Sequence, residues 1–399
     1  MAIRQQNPIL GAWQIAAAVC LAGSIAFSHP AAAAGVHIGF VTSLSGAGSL
    51  FAEAAVQGVQ LAIDEVNASG GVLGGKLTME IVDDAADPTT TRQAWETLAN
   101  HHVAAIVSAE NSADRVAGLP VAERENIPVL YAVDYEGGGC SPVMYIDGEV
   151  PGQKIPAYIS FLMAEAKGKK FFMLSTDYNW ARTAFAVAKK EIERQGGSVI
   201  GEEYTPFNTP DYTALISKVR ASGADVLLSG LAGGPDNVTF FKQARASGLR
   251  MTMGSLALDD TTLGAVGPAA KGVYMATSYF SAIDTPGNKK FLAALKAKFG
   301  DKTKQQGYLA EASYDAIHLY AAAVNKAGTT DPAPVLKALS EVSFDGPRGV
   351  IAMSTDRHAA LPIYIAQATK KGTYEVVKSL GVQPAPRQCN PEPPFGEQK

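Results

Sequence analysis

The residues most suggestive of chemistry lie in the run Gly70-Gly71-Val72-Leu73-Gly74-Gly75-Lys76-Leu77. A glycine, four residues and then Gly-Lys is how a phosphate loop begins. The next position must carry a hydroxyl to hold magnesium, and Leu77 has none. The run also leads into a strand pattern, whereas a phosphate loop must open a helix. It reads instead as a glycine hairpin between a helix and an edge strand. Ser45-Gly46-Ala47-Gly48-Ser49 is a weak echo of a dinucleotide loop. The sequence contains no Gly-x-Ser-x-Gly elbow, no His-Glu-x-x-His and no Cys-x-x-Cys. His101-His102 closes a helix pattern, where imidazolium complements the dipole. His37, His318 and His358 are scattered. These observations predict no catalytic residue, no metal site and no cofactor.

The N-terminus carries an address. Arg4 precedes an almost wholly apolar run from Ile9 to Phe27, followed by His29, Pro30 and Ala31–Ala34. That order matches a secretory signal with small residues at the cleavage point, placed near Ala34. Cys20 lies inside the apolar run, in a poor lipobox context. Export to the periplasm is therefore expected, an oxidising space in which disulfides persist. The two remaining cysteines, Cys140 in a glycine-rich loop and Cys389 in a proline-rich tail, are either a disulfide pinning that tail or two unrelated thiols. The chain has 34 basic and 38 acidic residues and a formal charge of −4. No basic surface for nucleic acid is implied.

The rest of the chain alternates strand and helix. Val36–Thr42, Leu77–Val82, Ala104–Val107 and Pro128–Tyr131 read as buried strands, separated by helices over Phe51–Asn67, Thr89–Asn100 and Asp114–Glu123. This βαβ rhythm predicts a parallel sheet covered on both faces. It restarts after Pro151: helices at Ile155–Ala166, Ala181–Gln195, Tyr212–Ala221 and Asn237–Ala246 alternate with strands at Lys170–Leu174, Ser198–Glu203, Asp225–Leu228, Met251–Gly254 and Gly272–Ala276. Two late helices (Lys289–Lys298, Tyr308–Ala327) and two late strands (Gly349–Met353, Leu361–Ala368) follow. The expected fold class is α/β in two units.

Three segments now carry a resemblance: Thr42-Ser43-Leu44-Ser45-Gly46, the helix GVQLAIDEVN over Gly58–Asn67, and Ala68-Ser69-Gly70-Gly71-Val72-Leu73-Gly74-Gly75. This opening resembles the leucine/isoleucine/valine-type periplasmic binding proteins of ABC transporters, and the likeness runs from Gly39 to about Lys378. Asp134-Tyr135-Glu136-Gly137 with Ser141-Pro142, the segment Tyr279–Pro286, and Asp345-Gly346-Pro347-Arg348-Gly349 look like the short-chain amide and urea subgroup. The resemblance implies a type I periplasmic binding fold: two lobes, each a parallel sheet flanked by helices, joined by three crossover strands at a hinge. Lobe 1 is expected at 35–150 plus 279–345, lobe 2 at 151–278 plus 346–380, and a proline-rich tail at 381–399, mobile unless Cys389 tethers it.

Carried over by position, the resemblance puts the ligand at the carboxyl ends of the strands, where open parallel sheets leave a crevice. Lobe 1 would supply Phe51, then Glu110, Asn111 and Ser112, then Tyr131, Val133, Asp134 and Tyr135. Lobe 2 would supply Asp177, Tyr178 and Trp180, then Ala232 and Gly233, then Asp259. Local alternatives accompany several of these. Ser112 and Asp177 also fit helix caps, Tyr178 and Trp180 also fit plain packing, and Asp259 also fits an exposed loop. Arg and Lys are absent from these contact segments, Arg115 and Arg182 at helix starts excepted. Glu110, Asp134 and Asp177 are therefore expected to accept hydrogen bonds from a ligand rich in N–H: an amide, urea or branched-chain-type amino acid.

The function implied is capture of a small solute between the lobes and its delivery to an inner-membrane ABC permease, by a monomer or weak dimer that breaks no bond. A sensor of the same fold, signalling to a protein partner, is the second reading, and a secreted hydrolase the third.

Overall fold

The computed structural model describes residues 35–388; the expected signal segment 1–34 and Cys389 lie outside the described residues. The first lobe opens with β1 (Val36–Thr42), α1 (Ser49–Ala68), β2 (Leu77–Asp83), α2 (Pro88–Asn100), β3 (Ile106–Ala109), α3 (Ser112–Glu125), β4 (Val129–Tyr131) and β5 (Met144–Ile146). These strands form one parallel sheet in the order β2-β1-β3-β4-β5. β1, β3 and β4 are almost wholly buried, as apolar strands covered on both faces must be. The glycine run makes a tight turn, Val72 bridging Gly75, ahead of the edge strand β2.

The second lobe runs through α4 (Pro151–Ala166), β6 (Lys170–Thr176), α5 (Asn179–Arg194), β7 (Ser198–Thr205), α6 (Thr213–Ala221), β8 (Val226–Gly230), α7 (Gly234–Ala246), β9 (Thr252–Ser255), α8 (Asp260–Val266) and β10 (Tyr274–Thr277). The chain then returns to pack α9 (Pro286–Phe299), α10 (Tyr308–Ala327) and α11 (Pro332–Leu339) with the first lobe, α10 lying along α1. A hairpin, β11 (Ser343–Gly346) and β12 (Gly349–Ala352), lies beside α9 and α10. Finally β13 (Leu361–Ala368) and β14 (Tyr374–Gln383) join the second sheet antiparallel, giving β14-β13-β10-β9-β8-β6-β7.

Two expectations need correction. The third passage between lobes was expected near the 345/346 boundary, but that stretch is the β11–β12 hairpin, held against first-lobe helices. The crossing follows it, where Ile146 N–H donates to Arg357 O at 2.9 Å and Ala359 N–H donates to Ile146 O at 3.0 Å. The tail was expected to begin at 381 and to be mobile unless Cys389 tethers it, but β14 runs to Gln383. Gln388 is buried as well, accepting from Gly138 N–H at 2.8 Å. Cys140 is disulfide-bonded, and its Sγ lies 3.1 Å from the Gln388 carbonyl oxygen.

The hinge is built from buried charge. Arg348 is fully buried and lies 3.0 Å from Glu311, 3.1 Å from Asp315 and 3.4 Å from Asp147; it also donates to Ser278 Oγ at 3.1 Å. Ser278 Oγ in turn donates to Glu149 at 2.7 Å, and Thr277 donates to the same carboxylate. Residues on the first and second crossings thus meet through one network. Unpaired, such charges would be costly to bury; paired, they fix a geometry.

Candidate functional site

Between the lobes lies a cavity of about 70 Å³. The carboxyl ends of β1, β3 and β4 and the start of α1 form one wall, contributing Thr42, Ser43, Phe51, Ala109, Glu110 and Val133. The facing wall comes from the loops after β6, β7, β8 and β9, with Tyr178, Trp180, Phe207, Ala232 and Ala257. Tyr308 and Leu309, at the start of α10, close one side.

Of the expected residues, Phe51, Glu110, Asn111, Ser112, Val133, Asp134, Tyr178, Trp180, Ala232 and Gly233 all line this cavity. Four do not. Tyr131 is fully buried behind the wall, where its hydroxyl donates to the Glu110 carbonyl at 2.8 Å. Tyr135 is also fully buried, carrying the Arg115 guanidinium 4.7 Å from its ring centre and bonding His358. Asp177 points to solvent and pairs with Arg182 at 2.7 Å. Asp259 is buried as the cap of α8, accepting from Thr262 N–H at 3.1 Å; the lining residue from that segment is Ala257.

Local rules explain these placements. Asn111, not Ser112, caps α3: its side chain accepts from Ala113 N–H at 2.8 Å and Asp114 N–H at 3.1 Å. That leaves the Ser112 hydroxyl, buried in the cavity wall, without a hydrogen bond of ordinary geometry; the Tyr131 hydroxyl is beside it. Tyr178 occupies the cap position of α5 in extended backbone, which turns its ring onto Trp180, stacked at 6.0 Å and 29°. Gly234 admits the opposite lobe: a Cβ there would stand 2.9 Å from the Leu50 side chain of α1. Asn179 Nδ2 donates to Glu136 Oε1 at 3.0 Å, and Gln305 Nε2 to Asp260 Oδ1 at 3.3 Å, so both rims of the cleft are in contact.

The electrostatics differ most from expectation. Glu110 and Asp134 were expected to present free carboxylates. Glu110 instead accepts from Trp95 Nε1 at 3.2 Å and lies against Asp84 and Asp114. Burial, then the two neighbouring carboxylates, push it well above the usual carboxylate range. Burial, and next Asp84, push Asp114 up to about 7. Asp134 accepts from Lys154 at 3.0 Å and from the Tyr308 hydroxyl at 2.9 Å. Lys154 comes from α4 and also reaches Glu149 at 3.2 Å. Sequence reasoning missed Lys154 because its position on a helix twenty residues downstream carries no local signal. Phe207 and Tyr308 were missed for the same reason. Among the described residues there is no cluster of metal-ligating side chains, and no helix is long and apolar enough to cross a membrane.

Comparison with known proteins places this geometry in context. The profile of a family described as periplasmic binding protein matches residues 35–373. A leucine-, isoleucine-, valine-, threonine- and alanine-binding protein of Pseudomonas aeruginosa is 26% identical over 339 residues, covering 84% of this chain and 89% of the relative. Among solved structures, a solute binding protein of an ABC transporter from Rhodopseudomonas palustris, in complex with p-hydroxybenzoic acid, superposes with a TM-score of 0.81 at 20% identity, covering 88% of this chain and 98% of that one. A branched-chain amino acid transporter substrate binding protein from Streptococcus pneumoniae, in complex with isoleucine, gives 0.78 at 19% identity, covering 88% and 100%.

Proposed function

The chain belongs to the periplasmic binding protein family, a non-enzymatic family of solute-binding proteins with the type I fold, and from that premise we propose that it is the exported receptor of an ABC importer. In this reading it traps one small polar solute in the interlobe cavity and presents the closed form to a membrane permease. The observation that carries it is the cavity itself, walled by strand ends of both lobes and closed at both rims by interlobe hydrogen bonds.

The mechanism follows from the parts. Phe51, Tyr178 and Trp180 shield the solute from water, while fixed hydroxyls and N–H groups replace its hydration. Closure needs contacts from both lobes at once, so a solute bridging them shifts the open–closed equilibrium by its differential affinity. The expected ligand set of amides, urea and branched-chain-type amino acids stands as candidates, and the hydroxybenzoate complex of a fold neighbour adds aromatic acids. A thermal-shift screen of the secreted protein against these four classes tests the reading, because a ligand that binds only the folded state raises its midpoint. A class that stabilises the chain and quenches or shifts Trp180 emission supports it. Turnover of any of these compounds would favour the hydrolase reading instead. A sensor would share the binding and differ in its partner, so the closed form is also to be tested for retention by permease-containing membranes.

A further inference from the structure

The Lys154–Asp134 pair crosses from α4 to the loop after β4 and ends at the cavity. Both side chains are almost completely buried. Each Asp134 oxygen is occupied, Oδ2 by Lys154 Nζ and Oδ1 by the Tyr308 hydroxyl. The other carboxyl in the wall, Glu110, accepts from Trp95 Nε1 and sits with Asp84 and Asp114 and without a cation beside it. Neither wall carboxyl is therefore free of protein partners to meet a cationic ligand group.

The groups that remain point the other way. The Ser112 hydroxyl, buried beside the Tyr131 hydroxyl and without a hydrogen bond of ordinary geometry, belongs to the cavity wall. Tyr178 and Trp180, whose side chains carry a hydroxyl and an indole N–H, also line it. The N-terminal ends of α1, α3, α5 and α7 converge here through Gly48, Ser112, Trp180 and Gly233. Helix N-termini carry partial positive charge and favour an anion. Phe51, Val133, Phe207 and Leu309 offer an apolar body its wall.

Resting on the receptor reading above, we propose that Lys154 is the specificity-determining residue of this cavity: by holding Asp134 it withdraws the carboxylate an ammonium would need, and the site takes a small carboxylate that carries no ammonium group. An amino acid would bring a cation into a dry wall whose carboxyls are already taken by protein partners, whereas its deamino analogue would not.

Matched pairs test this in the full mature chain. Isothermal titration would compare leucine with 4-methylpentanoate, isoleucine with 3-methylpentanoate and phenylalanine with 3-phenylpropanoate, with benzoate alongside. At least one carboxylate is expected to bind at least about tenfold more tightly than its amino acid. Lys154→Met frees Asp134 and should reverse that preference. The Lys154→Met/Asp134→Asn variant, in which Glu149 loses Lys154 but keeps its Thr277 and Ser278 hydrogen bonds, should keep the carboxylate preference. Tighter binding of an amino acid by the wild type would overturn the proposal and leave the receptor reading intact. Binding of none of these probes would overturn it as well, while the wider solute screen would judge the receptor reading separately. Unchanged selectivity in both variants would remove Lys154 from the role.

Discussion

Asn179 Nδ2 donates to Glu136 Oε1 at 3.0 Å, and the same Glu136 oxygen accepts from Arg115 at 2.6 Å. One carboxylate thus joins α3 and its loop in the first lobe to the first residue of α5 in the second. Asn179→Ala removes the interlobe half of this contact and leaves the Arg115–Glu136 pair in place. Because Asn179 is exposed, global stability should change by less than about 0.5 kcal/mol. The open form should gain by about 1 kcal/mol, seen as about a fivefold weaker ligand affinity. Equal affinity in the two proteins would show that this rim contributes nothing to closure.

Trp180 should dominate the optical response to ligand. It lines the cavity stacked on Tyr178, whereas Trp95 is fully buried in the first-lobe core with its N–H on Glu110. Trp180→Phe is expected to remove most of the ligand-induced emission change while keeping the unfolding midpoint within a few degrees. A response that survives intact would place the reporting ring elsewhere.

Arg348 is the pivot of the hinge network. Arg348→Met strands Asp147, Glu311 and Asp315 in a dry site. Breaking a buried ionic cluster this way costs about 3–5 kcal/mol, measurable by urea unfolding. A loss under about 1 kcal/mol would show that the three acids are satisfied without it.

Stability should fall as pH rises from about 6.5 to 8. Burial pushes Asp147 up to about 8, despite Arg348, and Asp114 and Asp260 up to about 7. The folded state then binds more protons than the unfolded one, and that contribution is lost as pH climbs through these values. Burial lowers His358 to about 4, and this acts oppositely, but only below its unfolded value of 6.5. The window above 6.5 therefore isolates the carboxyls. A thermal midpoint that rises across it would contradict the assignment.

The disulfide at Cys140 should tie the tail to the glycine loop. Peptide mapping without reduction is expected to link Cys140 to Cys389. Reduction should then speed hydrogen exchange at Gly138 N–H, which donates to Gln388. Exchange that is indifferent to reductant would mean the tail holds by other contacts.

Much of this architecture was legible in residue order. The β1-to-β4 rhythm, the restart at Pro151 and the glycine turn before β2 follow from periodicity and punctuation. β5, α8, α11, β11 and β14 were not foreseen. β5 is a three-residue strand, α8 has seven residues, and β14 is mostly exposed, so none shows a strong apolar period. Of the fourteen ligand candidates carried over from the family resemblance, ten line the cavity wall. The resemblance could not foresee charge state, because Asp134 and Glu110 are governed by Lys154, Tyr308, Asp84 and Asp114, none adjacent in sequence.

The central claim is that this chain is a receptor that closes on a solute held between its lobes. Small-angle X-ray scattering tests it most directly, on the mature protein with and without the solute that best stabilises it. The account predicts a smaller radius of gyration when the solute is bound, with a curve matching the closed arrangement described here, and loss of that change in Trp180→Ala. A bound solute that leaves the scattering curve unchanged would contradict it.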